Sequence, residues 1–306
     1  MKLLHAFSDI DPQQWQSLVE RSPYATWFQT PEAYQFYASN IEEMMPFVYG
    51  IIEDDEVKGE RLEVKGMGNS RADKQTSRLK AVCVGYVTKE KSALKQFFTR
   101  RAIIIGGPLL AEDISDEALS ALLNTVKNLP SLLGRAWERL PIYIETRNLH
   151  DYSRWRAVFE ANDFAYQPHL NIQVACNDQQ SMSEQRQRQV KKAIKNGAEI
   201  CEASSEQEIR DWYQILRQLY RQKVRTPLWS EAFFLQFYRS GVGKFLLVKY
   251  EGRVIGAMMC PVFVEKAIYE WYVCGLDEEY KEQYPSVMAT YAAIEYAKQK
   301  GIPMFD

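Results

Sequence analysis

The sequence predicts a mixed α/β protein in which one architecture occurs twice. Its 306 residues correspond to two domains at the usual size of roughly 150 residues each. An apolar fraction of 46% with 25% charged residues is typical of a globular chain. In both halves the apolar pattern predicts helices, then antiparallel strands, then a further helix and strand. We therefore expect domains at residues 1–176 and 177–306.

The first half begins with two short helices, each with a proline near its first turn, and continues with β-rich segments and an amphipathic helix. The predicted helices are 11–22, 31–39, 115–129 and Ser153–Ala161, and the predicted strands are Pro46–Ile52, Ala81–Val87, Arg101–Ile105, Pro141–Glu145 and Asn171–Cys176. A tight turn is expected at Gly106-Gly107-Pro108.

The polar stretch Asp54–Lys80 is predicted to be a long hairpin or a mobile loop, because it combines three glycines with alternating charges. Contact with RNA is one interpretation of its basic side chains, and a solvated insertion is the other. These side chains are Lys58, Arg61, Lys65, Arg71, Lys74 and Arg78.

In the second half, a helix stopped by Gly197 leads into a strand, two further helices and a run of strands. The predicted helices are Glu184–Asn196, Glu206–Lys223, Glu231–Tyr238 and Ser286–Gln299, and the predicted strands are Ala198–Glu202, Lys244–Tyr250, Val254–Val264, Ala267–Cys274 and Ile302–Asp306. The dipeptide Glu251-Gly252 predicts a hairpin turn between two of the strands.

Charge and motif content exclude several classes of protein. With 38 basic and 40 acidic residues the net charge is −2, so any basic surface must be local. The five cysteines form no Cys-x-x-Cys pair, and neither a His-x-x-x-His spacing nor a Gly-x-Ser-x-Gly motif occurs. We therefore expect no metal, no cofactor and no serine hydrolase activity. Scattered cysteines, a short apolar N-terminus and the lack of an apolar run of about 18 residues predict a cytoplasmic protein without a membrane span.

The helix at Glu184–Asn196 is predicted to have a basic face and an apolar face. A concentrated positive stripe suits a phosphate-rich ligand such as a nucleotide sugar, a lipid pyrophosphate or the acceptor end of a transfer RNA. A solvated helix surface explains the same spacing. The basic face comprises Arg188, Lys191, Lys192 and Lys195, and the apolar face comprises Val190, Ala193 and Ile194.

The segment Tyr220–Pro227 is also basic and follows the long helix of the second half. Arg221, Lys223 and Arg225 could hold an anion near the mouth of a cleft. A basic helix end that complements the helix dipole is the alternative interpretation.

Glu270 is the single acidic residue of an otherwise apolar predicted strand. Alternation within that strand would place Glu270 and Tyr272 on one face and Trp271 on the other. A carboxylate in apolar surroundings has a raised pKa, which suits a general base for an amine. The alternative is an ion pair between Glu270 and a lysine or arginine of the same domain.

The segment Leu276–Gly301 resembles the central strand, loop and helix of the Gcn5-related N-acetyltransferase (GNAT) fold. In that fold a glycine-rich loop holds the pyrophosphate of coenzyme A with backbone amides. The corresponding loop here, 281–285, has no glycine, contains Glu282 and ends in Pro285, which lacks an amide hydrogen. Acetyl-coenzyme A is therefore not favoured as a donor.

A series of motifs across the chain resembles the FemABX aminoacyltransferases. The motifs are Trp27-Phe28-Gln29-Thr30-Pro31-Glu32, Gly106-Gly107-Pro108, Arg188–Gly197, Glu270-Trp271-Tyr272, Tyr284-Pro285-Ser286 and Phe305-Asp306. The resemblance implies two GNAT-like domains and transfer of an amino acid from aminoacyl-tRNA to an amine of a peptidoglycan precursor.

Such a transfer requires a base and a donor to the tetrahedral oxyanion. On physical grounds, Glu270 is the expected base and Tyr272 the expected orienting residue. The expected substrate-binding residues are Arg188, Lys191, Lys192, Lys195, Lys223, Arg225, Trp271 and Tyr284.

The sequence departs from this family in three respects. It has no helical arm after Gly197, no lysine in the stretch Ala33–Tyr37, and no continuation after Asp306, so the second domain is expected to be truncated. Three hypotheses remain open: an aminoacyl-tRNA-dependent transferase, a transferase with another activated acyl donor, and a catalytically inactive binding or scaffold protein.

Overall fold

The computed structural model describes residues 1–54, 77–89, 100–129, 143–176 and 182–306, which form two compact units. Unit 1 comprises Met1–Tyr34 and Met44–Gln167, and unit 2 comprises Gln35–Glu43 and Pro168–Asp306. Most of the polar stretch Asp54–Lys80 lies outside the described residues, and the domain boundary near residue 177 stays a prediction. In the described part of the chain, no helix is both long and apolar enough to cross a membrane.

Unit 1 contains a sheet with the strand order β1-β2-β3-β4-β6, in which β5 also pairs with β3. Strands β4 and β6 are parallel and the other pairs are antiparallel. The strands are β1 Lys2–Leu4, β2 Met44–Asp54, β3 Ser77–Thr88, β4 Arg101–Ile105, β5 Leu109–Leu110 and β6 Tyr143–Arg147, and the α-helices are α1 Pro12–Arg21, α2 Pro31–Ser39, α3 Asp116–Lys127 and α4 Arg156–Ala161. Helix α2 continues from unit 1 into the unit 2 segment Gln35–Glu43.

The amphipathic pattern of α3 is confirmed, because Leu119, Leu122 and Val126 are fully buried in the core of unit 1. Ser115 begins this helix by accepting a hydrogen bond from the Ala118 amide, and it donates its hydroxyl to Glu53 on β2. The cap therefore also fixes the helix to the sheet.

Gln29 connects two of the predicted motifs of unit 1. Its amide Nε2 donates to the carbonyl oxygens of Gly106 and Gly107, both at 2.9 Å, and its Oε1 accepts from the Thr26 amide at 2.7 Å. Gly106 and Gly107 have φ angles of +83° and +76°, which favour glycine. Tyr152 closes the network by donating to the Pro108 carbonyl at 2.7 Å. These motifs thus form a buried structural network.

Unit 2 contains a sheet with the order β7-β13-β11-β10-β9-β8, and β12 pairs with β10. Strands β11 and β13 are parallel, and the other pairs are antiparallel. The strands are β7 Val174–Ala175, β8 Glu199–Glu202, β9 Gly243–Tyr250, β10 Arg253–Phe263, β11 Ala267–Ile268, β12 Tyr272–Gly275 and β13 Met304–Phe305, and the α-helices are α5 Glu184–Lys195, α6 Glu206–Leu219, α7 Glu231–Ser240 and α8 Pro285–Lys300.

Three sequence predictions for unit 2 are corrected. The strand at Asn171–Cys176 is only two residues long, and it pairs with β13 of the second sheet instead of completing the first. The long helix ends at Leu219, and Tyr220–Val224 form a π-helical turn. Ile194 is 51% exposed, so the apolar face of α5 consists of Val190 and Ala193.

The start of α8 packs directly against the sheet. Gly256 and Gly275 are paired across β10 and β12. A Cβ atom on Gly275 would lie 2.7 Å from both the Pro285 Cβ and the Ser286 amide nitrogen, and one on Gly256 would lie 3.0 Å from the Pro285 Cβ. The absence of side chains at these two positions therefore allows the first turn of α8 to contact strand backbone.

We predict that Gly275→Ala destabilises the protein by roughly 2 kcal/mol or more, because the added methyl group must displace the start of α8. Gly241→Ala is the matched control, since Gly241 has a φ of +68° but no atom within 4 Å of the added Cβ. It should lose only about 1 kcal/mol from backbone strain. Chemical denaturation measures both values, and equal losses would contradict the packing argument.

An ion pair joins α6 to the sheet of unit 2. The Glu208 carboxylate pairs with the Lys249 ammonium and accepts hydrogen bonds from the amides of Ser204 at 2.7 Å and Ser205 at 3.2 Å. Desolvation raises the pKa of Glu208, but the ion pair and these hydrogen bonds outweigh it and lower the pKa to about 2.

This pKa predicts a dependence of stability on pH. A depressed pKa in the folded state contributes stability that is present above the ordinary value of 4.5 and is lost as the pH falls toward 2. The contribution is at most about 3 kcal/mol. Glu208→Gln should lower the free energy of unfolding near pH 7 and flatten its decline below pH 4.5. An unchanged acid profile in this variant would contradict the prediction.

Candidate functional site

The segment Ala267–Gly275 follows β10, pairs with it, and contains a β-bulge at residues 269–271. Val262 pairs with Ile268, whereas Met259 pairs with Tyr272. From Met259 to Val262 the β10 chain advances three residues, whereas the paired segment from Ile268 to Tyr272 advances four. The paired segment therefore contains one extra residue, as in a β-bulge. The predicted continuous strand Ala267–Cys274 is thus interrupted, which separates β11 from β12.

This extra residue corrects the predicted common face of Glu270 and Tyr272. Before the bulge, Ile268 packs into the core beneath α8. After it, the Tyr272 ring lies 5.2 Å from that of Phe234 in α7 and 6.4 Å from that of Tyr220. Simple alternation does not hold across the bulge, and Tyr272 faces the helices α6 and α7.

Glu270 lies in the bulge with its side chain exposed. Desolvation by the surrounding protein nevertheless raises the pKa of its carboxyl group. The carboxylate also raises the pKa of the buried Cys260 thiol, after the larger effect of burial. Among the described residues, no lysine or arginine forms an ion pair with Glu270. It is therefore a solvent-accessible carboxylate without an opposing charge in the described structure.

Asp306 fixes the backbone of Glu270. Its amide donates to the Ile268 carbonyl at 3.0 Å, and its carbonyl accepts from the Glu270 amide at 2.7 Å. Its carboxylate accepts hydrogen bonds from the side-chain amides of Asn171 at 3.2 Å and Gln173 at 2.9 Å. A second carboxylate thus adjoins the bulge, held by two neutral donors.

Trp271 and Tyr272 belong to an aromatic cluster of unit 2. The Trp271 ring lies 5.5 Å from that of Phe233 and 6.0 Å from those of Phe36 and Phe237. Both side chains remain partly exposed. The cluster holds the residues after the bulge in place and leaves aromatic surface accessible to a ligand.

The basic segment after α6 is exposed and begins with the π-helical turn. Lys223 forms an ion pair with Glu278 at 2.6 Å, and Arg225 has a left-handed backbone with a φ of +59°. Tyr220 points toward β12, where burial raises the pKa of its hydroxyl group and the nearby Cys274 thiol raises it further. π-Helical turns are frequent at functional sites.

Two of the four residues in the predicted positive stripe on α5 are engaged by acids. Arg188 pairs with Glu184 at 3.1 Å, and Lys192 pairs with Glu282 at 2.6 Å. Lys191 and Lys195 are exposed. Half of the predicted positive stripe is therefore neutralised locally.

Tyr284 immediately precedes α8 in a left-handed conformation with a φ of +45°, and its ring lies 5.8 Å from the Lys192 ammonium. At the same helix end, the Asp277 carboxylate accepts hydrogen bonds from the amide and the hydroxyl of Ser286, the former at 3.0 Å. The described residues contain no cluster of three or more histidine, cysteine or acidic side chains that could hold a metal ion.

Glu270, Trp271 and Tyr272 of the predicted site are thus consecutive residues at the bulge, and Tyr272 faces α6 and α7. The basic residues lie on separate elements, and the sequence interpretation missed Asp306, Tyr220 and Asp277. Apolar periodicity does not identify these three residues. Asp306 contacts Glu270, which lies 36 residues away in the sequence, and Tyr220 contacts Tyr272, which lies 52 residues away. Asp277 contacts Ser286, nine residues away.

Comparison with known proteins supports this architecture. Residues 183–306 match a family model described as an acetyltransferase (GNAT) domain. None of the curated proteins compared with the chain matches it.

Solved structures with a similar fold include two that cover nearly the whole chain and are described next. The crystal structure of FemX matches with a TM-score of 0.64 at 12% identity, covering 100% of this chain and 88% of its own. A tandem GNAT protein from the clavulanic acid biosynthesis pathway matches with a TM-score of 0.51 at 12% identity, covering 99% and 88%. The predicted fold, a mixed α/β chain with two tandem GNAT-like domains, is confirmed, as is the resemblance to FemX in fold.

Proposed function

We propose that this protein is an N-acyltransferase of the FemABX type. It moves an aminoacyl group, supplied by aminoacyl-tRNA, to an amine of a cell-wall precursor or a related envelope molecule. The observation that carries the proposal is Glu270, an accessible carboxylate with a raised pKa in a β-bulge of the domain that matches the acetyltransferase family. A base of this kind is what an amine acceptor requires.

The proposed reaction begins with loss of a proton from the acceptor ammonium to the Glu270 carboxylate. The neutral amine then attacks the ester carbonyl of the donor and forms a tetrahedral oxyanion. When this intermediate collapses, the new amide bond remains and the ester C–O bond breaks. The attacking nitrogen releases its second proton to solvent, and the proton held by Glu270 passes to the leaving ribose oxygen. A carboxylate with a raised pKa serves both transfers, because it holds the proton between them.

The residues around the bulge supply the positioning that this reaction needs. Asp306 holds the backbone at the bulge by accepting a hydrogen bond from the Glu270 amide and donating one to the Ile268 carbonyl. Tyr272 is proposed to orient the reacting groups, and the partly exposed rings of Trp271 and Tyr272 offer surface for the acyl group.

The exposed cations are proposed to hold the phosphates of the substrates. They are Arg188, Lys191, Lys192, Lys195, Lys223 and Arg225, with Tyr284 beside Lys192. Exposed ion pairs contribute roughly 0–1 kcal/mol, so a polyanionic substrate can displace Glu184, Glu278 and Glu282 from their partners.

A second candidate function, transfer from an acyl-coenzyme A, is supported by the match of residues 183–306 to an acetyltransferase domain. The two candidates are separated by offering labelled aminoacyl-tRNA and labelled acetyl-coenzyme A in parallel, each with a peptidoglycan precursor that has an amine in its stem peptide. Label transferred from the RNA alone supports the proposal. Label from coenzyme A alone overturns it, and label from neither supports an inactive binding protein.

The role of Glu270 predicts the behaviour of Glu270→Gln. Transfer should fall by about 100-fold or more because the amide cannot accept a proton. The thermal midpoint should stay the same or rise, since an ionised group whose folded pKa is raised opposes folding at neutral pH. Glu265→Gln, at an exposed position on the turn between β10 and β11, is the matched control and should retain full transfer. Full activity in Glu270→Gln would exclude Glu270 as the base.

The pH dependence provides an independent test. Glu270 must be ionised to accept a proton, so the transfer rate should fall as the pH drops through its pKa, which lies above the ordinary 4.5. The acidic limb of the rate profile should disappear in Glu270→Gln. The same limb in both proteins would show that another group controls it.

A further inference from the structure

The start of α8 has the geometry of an anion site but already contains an anion from the chain itself. The first amides of a helix, together with its dipole, favour a phosphate or a carboxylate. Pro285 occupies the first helical position and has no amide hydrogen, so Ser286 provides the first amide. That amide donates to the Asp277 carboxylate at 3.0 Å, and the Ser286 hydroxyl donates to the other oxygen of the same carboxylate.

Packing restricts the approach of a second anion to this helix end. The Ser286 amide nitrogen and the Pro285 Cβ each lie 2.7 Å from the position of an added Cβ on Gly275. The helix start is thus in contact with strand backbone on one side. On another side, the loop from Leu276 to Tyr284 returns along α5, where Gln283 donates to the Asn196 carbonyl at 3.2 Å. An incoming phosphate has to displace Asp277 to reach the amide.

The same loop also engages the neighbouring cations. Glu278 pairs with Lys223 at 2.6 Å, Glu282 with Lys192 at 2.6 Å, and Glu279 with Arg253 at 3.5 Å. Together with Asp277, the loop has four carboxylates. The three glutamates are each paired with a cation, whereas Asp277 forms no ion pair among the described residues.

The three ion pairs of the loop and the hydrogen bonds of Asp277 differ in how readily a competing anion displaces them. The three ion pairs are exposed, and such pairs contribute little and yield to a competing anion. Asp277 differs because its carboxylate accepts two hydrogen bonds at the positive end of a 16-residue helix. A phosphate at that position would meet a like charge at contact distance.

We propose that Asp277 is a specificity-determining residue that excludes pyrophosphate-bearing acyl donors such as acyl-coenzyme A from unit 2. The proposal rests on the proposed acyltransferase function for its biological meaning. It gives a physical reason for a donor that presents its acyl group on an RNA ester: such a donor does not need a pyrophosphate at the start of α8.

Binding of coenzyme A by calorimetry, with no acceptor present, tests this inference. The wild-type protein should show no binding at millimolar coenzyme A. Asp277→Asn removes the charge and keeps a side chain of the same size, and it should raise the affinity at least tenfold, into the measurable range. Glu279→Gln is the matched control, because it removes one charge from the same loop without contacting the helix end. The affinity of Glu279→Gln for coenzyme A should exceed that of the wild type by less than about threefold.

Every outcome decides the question. Equal affinity in the wild type and Asp277→Asn overturns the proposal, as does an equal gain in Glu279→Gln, which would indicate net charge alone. No binding in any variant shows that Asp277 is not the determinant. If Asp277→Asn does not fold, Asp277→Ser replaces it, since serine also accepts a hydrogen bond from a helix amide.

The result is independent of catalysis. A failure of transfer from aminoacyl-tRNA contradicts the proposed function and leaves the binding measurement valid. Conversely, tight binding of coenzyme A by the wild type contradicts the role of Asp277, whatever the transfer assay shows.

Discussion

The contact between the start of α8 and the β10–β12 pair is the constraint on which the functional half of unit 2 depends. Two glycines in cross-strand register allow Pro285 to lie against strand backbone. This contact fixes the position of Ser286, and Asp277 lies where it can cap the helix because the loop between them must turn back within a short distance. The unusual backbone of Tyr284 is part of the same turn. A helix held at a greater distance would leave all of these groups without their partners.

The β-bulge separates β11 from β12, which pack against different layers of unit 2. Residues on its two sides serve different layers of unit 2: Ile268 packs beneath α8, and Tyr272 packs with the aromatic side chains of α7. Glu270 lies in the chain between these residues. An acidic residue is tolerated there because its side chain reaches solvent, while the protein around it shifts its protonation. Irregular backbone thus places an exposed carboxylate between two packed strand segments.

Much of the fold could be predicted from the sequence, because it depends on local periodicity. The leucines of α3, the glycine after α5 and the strand Arg101–Ile105 all follow the pattern of their own segments. The site is less predictable. One inserted residue changes which side chains share a face, and no composition signal marks it. The π-helical turn at Tyr220 and the hydrogen bonds from Ser286 to Asp277 likewise have no signature in the apolar periodicity.

The network around Gln29 has a consequence for how relatives of this chain are recognised. The two motifs of the first half that resemble the FemABX family are hydrogen-bonded to each other, because the Gln29 side-chain amide donates to the carbonyls of Gly106 and Gly107. Their conservation would preserve a scaffold regardless of the reaction performed on it. A homologue that had lost every catalytic group could keep this signature intact. Sequence searches based on these residues would therefore identify the fold and would not identify the reaction.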